Sequence, residues 1–176
     1  GYIRSISFDG QNLYAASSGG VMVSNDNGNN WSFKNNGLKS CDTKSLTTLG
    51  NYIFVATDEN IFRSSDNGIN WEPAGTDLEG VYVKNLTVIN DVIFAATYLR
   101  GIYSSTDAGD TWTAINSGFT AKYAYYFAND GVNIYVGTYQ DGVYRSTNMG
   151  NSWTSINNGL TELNVIAMTC FGGKVF

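Results

Sequence analysis

The chain has 176 residues, of which 43% are hydrophobic and 14% are charged, and its formal net charge is −5. A chain of this length and hydrophobic content can bury a core, which excludes a disordered protein. The acidic balance and the lack of any basic run disfavour a nucleic-acid partner, and the absence of histidine removes the commonest general base and metal ligand.

The first 42 residues contain four short predicted strands. Residues 5–8 alternate polar and apolar side chains, which is typical of a half-buried strand, and residues 13–16 form a second, more apolar strand. Residues 21–23 and 31–33 follow as the third and fourth strands. Glycine or asparagine stands at each corner, where these residues favour turns. The stretch 2–42 therefore predicts one unit of four antiparallel strands.

This unit recurs along the chain with a nearly constant period. The four tryptophans, Trp31, Trp71, Trp112 and Trp153, follow one another at intervals of 40, 41 and 41 residues. Apolar residues recur in the same phase after each tryptophan. The one-residue insertion of the third and fourth units falls between their second and third strands. A fixed period of this length indicates a repeated supersecondary unit, and four-stranded units of this size predict an all-β propeller.

The predicted blades occupy the whole chain, residues 1–176. A closed ring of four blades would leave the last residues without a place, because they restart the first two strands of a blade. We therefore expect a segment of a larger propeller, completed by further blades or by another chain. The predicted blades are 2–42, 43–82, 83–123 and 124–163, followed by a partial blade at 164–176.

Each unit carries the pattern Ser-x-Asp-x-Gly-x-x-Trp between its third and fourth strands. The glycine can adopt the left-handed conformation of a tight hairpin, and the aspartate can accept bonds from nearby backbone N–H groups. The tryptophan carries a large apolar area into the core. One carboxylate per turn is too few for a calcium loop, so we interpret the pattern as a structural turn, with no metal and no cofactor. The pattern residues are Ser24, Asp26, Gly28 and Trp31; Ser64, Asp66, Gly68 and Trp71; Ser105, Asp107, Gly109 and Trp112; and Ser146, Asn148, Gly150 and Trp153.

This pattern resembles the Asp-box, also called the BNR repeat. The repeat occurs in sialidases, sortilin-type receptors, photosystem II assembly factors and many secreted bacterial propellers. The longer phrase at residues 101–118 resembles the tandem Asp-box arrays of Bacteroidetes-type secreted and surface proteins. The resemblance covers nearly the whole chain and implies a β-propeller that is secreted or displayed at the cell surface.

The resemblance also implies where a ligand binds. In that family the Asp-box joins the third and fourth strands, and ligands occupy the opposite face. That face is built by the loops between second and third strands and by the connections between blades. The aromatic run at residues 123–126 either adds rings near this face or packs between blades. The candidate ligand residues are Glu59, Tyr98, Arg100, Tyr139, Gln140 and Asp141.

Binding of a protein or glycan is the favoured function, because tyrosine and arginine are enriched at interfaces. We assign no catalytic residue. The first alternative is a sialidase-type glycoside hydrolase with most catalytic residues in further blades. The resemblance then implies clustered arginines, a Tyr–Glu pair and an Arg-Ile-Pro motif, and this chain has no Arg-Ile-Pro. The second alternative is a structural spacer of a large adhesin or filament, which predicts no aromatic or charged cluster on the ligand face.

Two further features concern the membrane and the cysteines. No apolar run approaches the roughly 20 residues of a membrane-spanning helix, so no membrane span is expected. Cys41 and Cys170 lie far apart, and two cysteines do not make a disulfide framework. Whether they pair with each other stays open at this stage.

Overall fold

Four antiparallel four-stranded sheets follow one another along the chain in a computed structural model, which describes residues 1–172 and 174–176. Strands that are consecutive in each sheet are also neighbours in space. No helix long and apolar enough to cross a membrane is present among the described residues. The first two sheets contain β1 (Ile3–Phe8), β2 (Leu13–Ser17), β3 (Gly20–Ser24) and β4 (Ser32–Phe33), then β5 (Ser45–Leu49), β6 (Tyr52–Ala56), β7 (Ile61–Ser64) and β8 (Glu72–Pro73). The next two contain β9 (Val83–Ile89), β10 (Val92–Thr97), β11 (Gly101–Ser105) and β12 (Thr113–Ala114), then β13 (Ala124–Asn129), β14 (Ile134–Thr138), β15 (Val143–Ser146) and β16 (Thr154–Ser155).

The all-β propeller architecture predicted from the sequence is confirmed. The sheets form because period-two strands alternate with turns whose polar side chains bond the local backbone. In the first hairpin, the Asp9 carboxylate accepts from the backbone N–H groups of Gln11 (2.7 Å) and Asn12 (2.6 Å). The hydroxyl of Tyr14 donates to the same carboxylate at 2.6 Å. The single proline, Pro73, lies in the outermost strand of its sheet, where no further strand needs its missing N–H.

The core consists of three layers, each lying between consecutive sheets. Between the second and third sheets, Phe54, Leu78, Leu86 and Trp112 are all buried. Burying a large apolar side chain contributes roughly 1.5–3 kcal/mol. Packing of sheet against sheet therefore stabilises the fold, and each sheet shares its core with its neighbours.

The two ends of the array lack such neighbours within this chain. Ile6 on β1 is 63% exposed, whereas its repeat mates Leu46 and Leu86 are 5% and 3% exposed. At the other end, the start of a fifth unit consists of the short hairpin β17 (Cys170–Phe171) and β18 (Lys174–Val175).

Residues 164–169, at the start of the predicted partial blade 164–176, form no strand. They lie against the fourth sheet instead, because the Val165 N–H donates to the Thr138 carbonyl at 2.9 Å. Gly137 has no side chain, which leaves room for Val165 beside it. Cys41 and Cys170 are free thiols, the first exposed and the second half-buried.

Candidate ligand-binding site

The four Ser-x-Asp-x-Gly-x-x-Trp segments form the turns between third and fourth strands, and we call them the repeat turns. In the third sheet, Ser105 Oγ donates to Asp107 Oδ1 (2.8 Å) and accepts from the Gly109 N–H (2.9 Å). Thr111 completes the turn, because its backbone N–H donates to Asp107 Oδ1 (3.0 Å) and its hydroxyl to Oδ2 (2.6 Å). Both carboxylate oxygens are therefore engaged within the turn itself.

The other three repeat turns have the same arrangement. Asp26 accepts from the hydroxyl of Ser24, and Asp66 from the hydroxyl of Ser64, each at 2.8 Å. In the fourth turn, Asn148 replaces aspartate and donates its amide N–H to Ser152 Oγ at 2.9 Å. The glycines of all four turns, Gly28, Gly68, Gly109 and Gly150, have positive φ angles between 80° and 88°.

The tryptophans that end these turns connect neighbouring sheets. Trp71 Nε1 donates to the Lys34 carbonyl at 2.8 Å, which lies just after the outer strand of the preceding sheet. Trp112 and Trp153 make the same kind of bond to the preceding sheet, at 2.9 and 2.8 Å. Trp31 has no preceding sheet in this chain and donates to Gly28 in its own turn at 3.1 Å.

The hydrogen bonds of the repeat turns predict an acid-sensitive contribution to stability. The hydroxyl of Thr111, its backbone N–H and the hydroxyl of Ser105 lower the pKa of Asp107 from 3.8 to about 2. A lowered carboxylate pKa stabilises the fold above the ordinary pKa, and this stabilisation is lost as pH falls through the folded value. We expect Asp107→Asn to reduce the fall in melting temperature between about pH 4 and pH 2 relative to the wild type.

The fourth turn offers the reciprocal variant as a control. Asn148→Asp places a carboxylate in the same geometry, so its melting temperature should fall more steeply than that of the wild type over the same range. Equal slopes for the wild type and both variants, measured by circular dichroism, would show that these bonds do not couple to folding.

Two of the predicted ligand residues, Tyr98 and Tyr139, approach the same third tyrosine. Tyr98 and Tyr123 have ring centroids 4.6 Å apart, and Tyr123 and Tyr139 have centroids 6.1 Å apart. Backbone pairing fixes this contact, since Tyr98 and Tyr123 form a β-bridge and the Tyr139 N–H donates to the Tyr123 carbonyl at 3.2 Å. Tyr98 and Tyr139 are 42% and 39% exposed, so part of each ring faces solvent.

The other predicted ligand residues do not join this group. Glu59 lies in a separate groove that Lys39 and Glu79 also line. Arg100 and Gln140 are exposed on their loops, and Gln140 has a φ of 78°. The backbone of Asp141 donates to Thr138 Oγ1 at 3.2 Å, which closes the loop.

Residues outside the predicted ligand set join Tyr98 to complete the site. Tyr82, Lys84, Tyr98 and Tyr125 line a cavity of about 230 Å³. A second cavity of about 420 Å³ shares Tyr82 and Lys84 and extends to Arg4, Lys44 and Tyr126. We call the two together the tyrosine–lysine cleft. Tyr125 stacks on Tyr139 at 5.8 Å with an interplanar angle of 26°, which joins the predicted pair of rings to the cleft.

Irregular pairing at the start of the first strands directs the key side chains into the cleft. Ser17 and Ala16 pair with Ile3 and Ser5, which leaves Arg4 as the extra residue. Lys84 is likewise left between Val83 and Asn85, and Tyr125 between Ala124 and Tyr126. A β-bulge of this kind re-aims a side chain. The same local feature therefore presents equivalent residues of the first, third and fourth sheets to one space, whereas Lys44 of the second sheet precedes a regularly paired strand.

The cleft lies opposite the repeat turns. The first strand of each antiparallel sheet begins at the edge where the second strand ends and the third begins. The third strand then runs to the other edge, where the repeat turn follows. Residues at the start of β9 and β13 therefore share an edge with the loops that contain Tyr98 and Tyr139.

The cations of the cleft are not equally neutralised. Arg4 and Lys44 both form ion pairs with Asp42. Burial alone would raise the pKa of Asp42, but the hydrogen bonds and charges of these two cations hold it below its ordinary value. Lys84 forms no ion pair among the described residues, and its Nζ lies 5.1 Å from the ring centroid of Tyr125. Burial, and then the charges of Lys44 and Arg4, lower the pKa of Lys84.

The sequence does contain a signal for this site. Arg4, Lys44, Lys84 and Tyr125 recur at intervals of 40, 40 and 41 residues, in phase with the repeat. Aligning the repeats by their apolar positions passes over this position because it is polar in three units. Comparing the polar residues that share one repeat position would have identified it.

Comparison with known families and structures places the chain among propellers. A family model described as the DUF6242 beta propeller domain matches residues 3–119. No curated protein matches the chain. A GH74 xyloglucanase from Xanthomonas campestris is 16% identical and superposes with a TM-score of 0.75 over 96% of this chain and 32% of its own.

Two other solved structures have similar folds. YCF48 bound to D1 peptide is 17% identical, with a TM-score of 0.71 over 95% of this chain and 58% of its own. The extracellular domain of BT4673 from B. thetaiotaomicron is 15% identical, with a TM-score of 0.77 over 94% of this chain and 24% of its own. The chain thus spans about a quarter to rather more than half of these structures, and at such identities the likeness concerns the fold alone.

Proposed function

Because this chain belongs to the DUF6242 β-propeller domain family, a fold that hosts many unrelated activities, we propose its function from the site: it is a non-catalytic binding module. Its ligand, a glycan or a protein, docks in the tyrosine–lysine cleft. The observation that carries the proposal is the convergence of Tyr82, Tyr98 and Tyr125 around Lys84, a lysine without an ion-pair partner among the described residues.

The chemistry of the cleft supports binding. Tyrosine offers a large rigid contact surface with a polar tip, which is why it dominates interface energetics. A glycosidase needs two carboxylates about 5–9 Å apart, whereas the acidic side chain beside the cleft, Asp42, is occupied by Arg4 and Lys44. A structural spacer would have no reason to keep half-exposed rings and a half-buried cation at one place.

The repeat turns support the remaining parts of the proposal. Their hydrogen bonds and interlocking tryptophans agree with an assignment as Asp-boxes, whose array lies opposite the binding surface. We place the protein outside the cell, as a secreted or surface-exposed module. The likeness to an extracellular domain from B. thetaiotaomicron supports this location.

Removal of single rings tests the binding proposal. We expect the wild-type chain to retain members of a combined glycan and peptide array, and Tyr125→Ala to weaken that binding about tenfold or more, because its ring is central to the cleft. Phe33→Ala is the matched control, since Phe33 is an exposed aromatic residue on β4, the outermost strand of the first sheet. Affinities of retained ligands would be measured by titration calorimetry.

Two results would overturn the proposed function. One is that the array retains no ligand at all. The other is that Tyr125→Ala and Phe33→Ala bind a retained ligand as tightly as the wild type does. Circular dichroism spectra of both variants would establish that the fold is intact.

A further inference from the structure

The charge and ring geometry of the tyrosine–lysine cleft narrow its ligand class. Resting on the binding function proposed above, we infer that the cleft binds an acidic oligosaccharide. The carboxylate of a uronate residue pairs with Lys84 Nζ, and the sugar ring lies against the neighbouring tyrosines.

Charge is the first argument for an acidic ligand. Three cations, Arg4, Lys44 and Lys84, line the larger cavity of the cleft. Arg4 and Lys44 share one carboxylate, that of Asp42. The cluster keeps a net positive charge although the whole chain carries −5. A local field of opposite sign to the rest of the protein favours an anionic ligand at this place.

The environment of Lys84 is the second argument. The lysine is half-buried, and Arg4 and Lys44 repel its charge. A neutral ligand would bury this charge further without pairing it, which is unfavourable. An opposite charge within about 4–6 Å favours the charged form of such a group. A ligand carboxylate therefore relieves an unfavourable feature of the unbound protein.

The rings indicate the rest of the ligand. Lys84 Nζ lies over the rings of Tyr125 and Tyr126, 5.1 and 5.9 Å from their centroids, so the cation is held among aromatic side chains. Tyr98 and Tyr139 extend this surface and keep exposed area for contact. The larger cavity, at about 420 Å³, falls in the range of small-ligand sites, and the smaller one adjoins it.

A uronate fits this arrangement better than an acidic peptide does. A uronic acid bears its carboxylate directly on a rigid ring, so contact with the tyrosines and pairing with Lys84 form together. An aspartate or glutamate brings its carboxylate on a flexible side chain and must lose rotamer freedom to reach the same position. The compact juxtaposition of cation and ring faces therefore favours a sugar acid.

The test uses acidic oligosaccharides and matched neutral forms. Oligogalacturonates and glucuronoxylan oligomers are arrayed beside their carboxyl-reduced counterparts, which keep the linkage and ring but lack the charge, with an aspartate-rich peptide included. We expect the wild type to prefer the uronate member of a pair by about tenfold or more, because charge-assisted hydrogen bonds are the strong ones.

Two lysine variants separate the local charge from the overall charge. Lys84→Met keeps an apolar stem over the rings and should weaken uronate binding about ten- to a hundredfold while leaving the reduced form nearly unchanged. Lys39→Met removes the same charge at an exposed position in the separate groove, where Lys39 Nζ lies 3.3 Å from Glu79 Oε1. This variant should bind the uronate as tightly as the wild type does.

Each other outcome decides against the inference. The wild type could bind the uronate and the reduced form with equal affinity, and Tyr125→Ala could lose this binding. That result overturns the acidic ligand and leaves the binding function in place. If the acidic peptide is retained and no glycan is, the ligand is not an oligosaccharide, and the binding function is again left in place. If neither these glycans nor the peptide is retained, the acidic oligosaccharide is overturned; the binding function itself fails only if the combined glycan and peptide array also retains no ligand.

Discussion

Replacing Trp112 by alanine is expected to lower the free energy of unfolding by about 3–5 kcal/mol, which is the range for truncating a buried tryptophan. Trp112 is 6% exposed and lies in the layer between the second and third sheets. Its Nε1 donates to the Ala74 carbonyl at 2.9 Å, so truncation also leaves that carbonyl without its partner. Equilibrium denaturation in urea would measure the change.

Trp31 provides the matched comparison for this prediction. It occupies the same position in the first repeat turn, but it is only half-buried and its Nε1 bonds to Gly28 within the turn. Trp31→Ala should therefore cost about 1–2 kcal/mol, because less apolar area is lost. If the two variants were equally destabilised, contact with the preceding sheet would not be what makes the repeat tryptophan important.

Replacing Gly118 by alanine is expected to be the second large effect. Gly118 has a φ of 75°, and a Cβ there would overlap the backbone carbonyl oxygen of Trp153. That backbone cannot easily move, because the Trp153 N–H donates to the Ser117 carbonyl at 2.9 Å. The left-handed conformation alone costs a non-glycine residue about 1–2 kcal/mol, and forced overlap in a packed region adds about 1–3 kcal/mol.

Gly159 separates these two contributions. It holds the same repeat position with a φ of 86°, but a Cβ there would meet no atom within 4 Å. Gly159→Ala should therefore show only the backbone cost of about 1–2 kcal/mol. Equal destabilisation of the two variants in urea unfolding would mean that close approach between neighbouring sheets is not limiting at Gly118.

The second repeat departs from this glycine position in an informative way. Asp77 stands where the other repeats have glycine, and its Oδ2 accepts from the Trp112 N–H at 2.9 Å. In the neighbouring pairs the tryptophan N–H bonds to a backbone carbonyl, that of Asn36 or Ser117. A side chain thus replaces a backbone acceptor, and the tie between the sheets is kept.

The strands and repeat turns could be predicted from the sequence because their causes are local. Alternation of apolar residues and the turn chemistry of serine, aspartate and glycine act within about ten residues. The period of the tryptophans then orders these units along the chain. Tyr98 and Tyr139 were predicted from the Asp-box resemblance, which implies that ligands bind near the loops between second and third strands, and both residues occupy such a loop.

The composition of the cleft depended on tertiary structure. Tyr82 and Tyr123 lie in connections between sheets and contact Tyr98. No local sequence pattern predicts contact between rings so far apart in the chain. Glu59 does not line the cleft, although its loop occupies the same place in its sheet as the loops of Tyr98 and Tyr139. It lines a separate groove together with Lys39.

The sequence by itself determined the all-β repeat, its turns and the tryptophans that enter the core, because each follows from side chains within one unit. Only the tertiary structure decided that Arg4 and Lys44 share Asp42 as an ion-pair partner while Lys84 has no such partner among the described residues. The physical reason is that bulges place Arg4 and Lys84 in a space bounded by several sheets, to which the connection before β5 brings Asp42 and Lys44. Charge balance there depends on distances between sheets, which no single repeat contains.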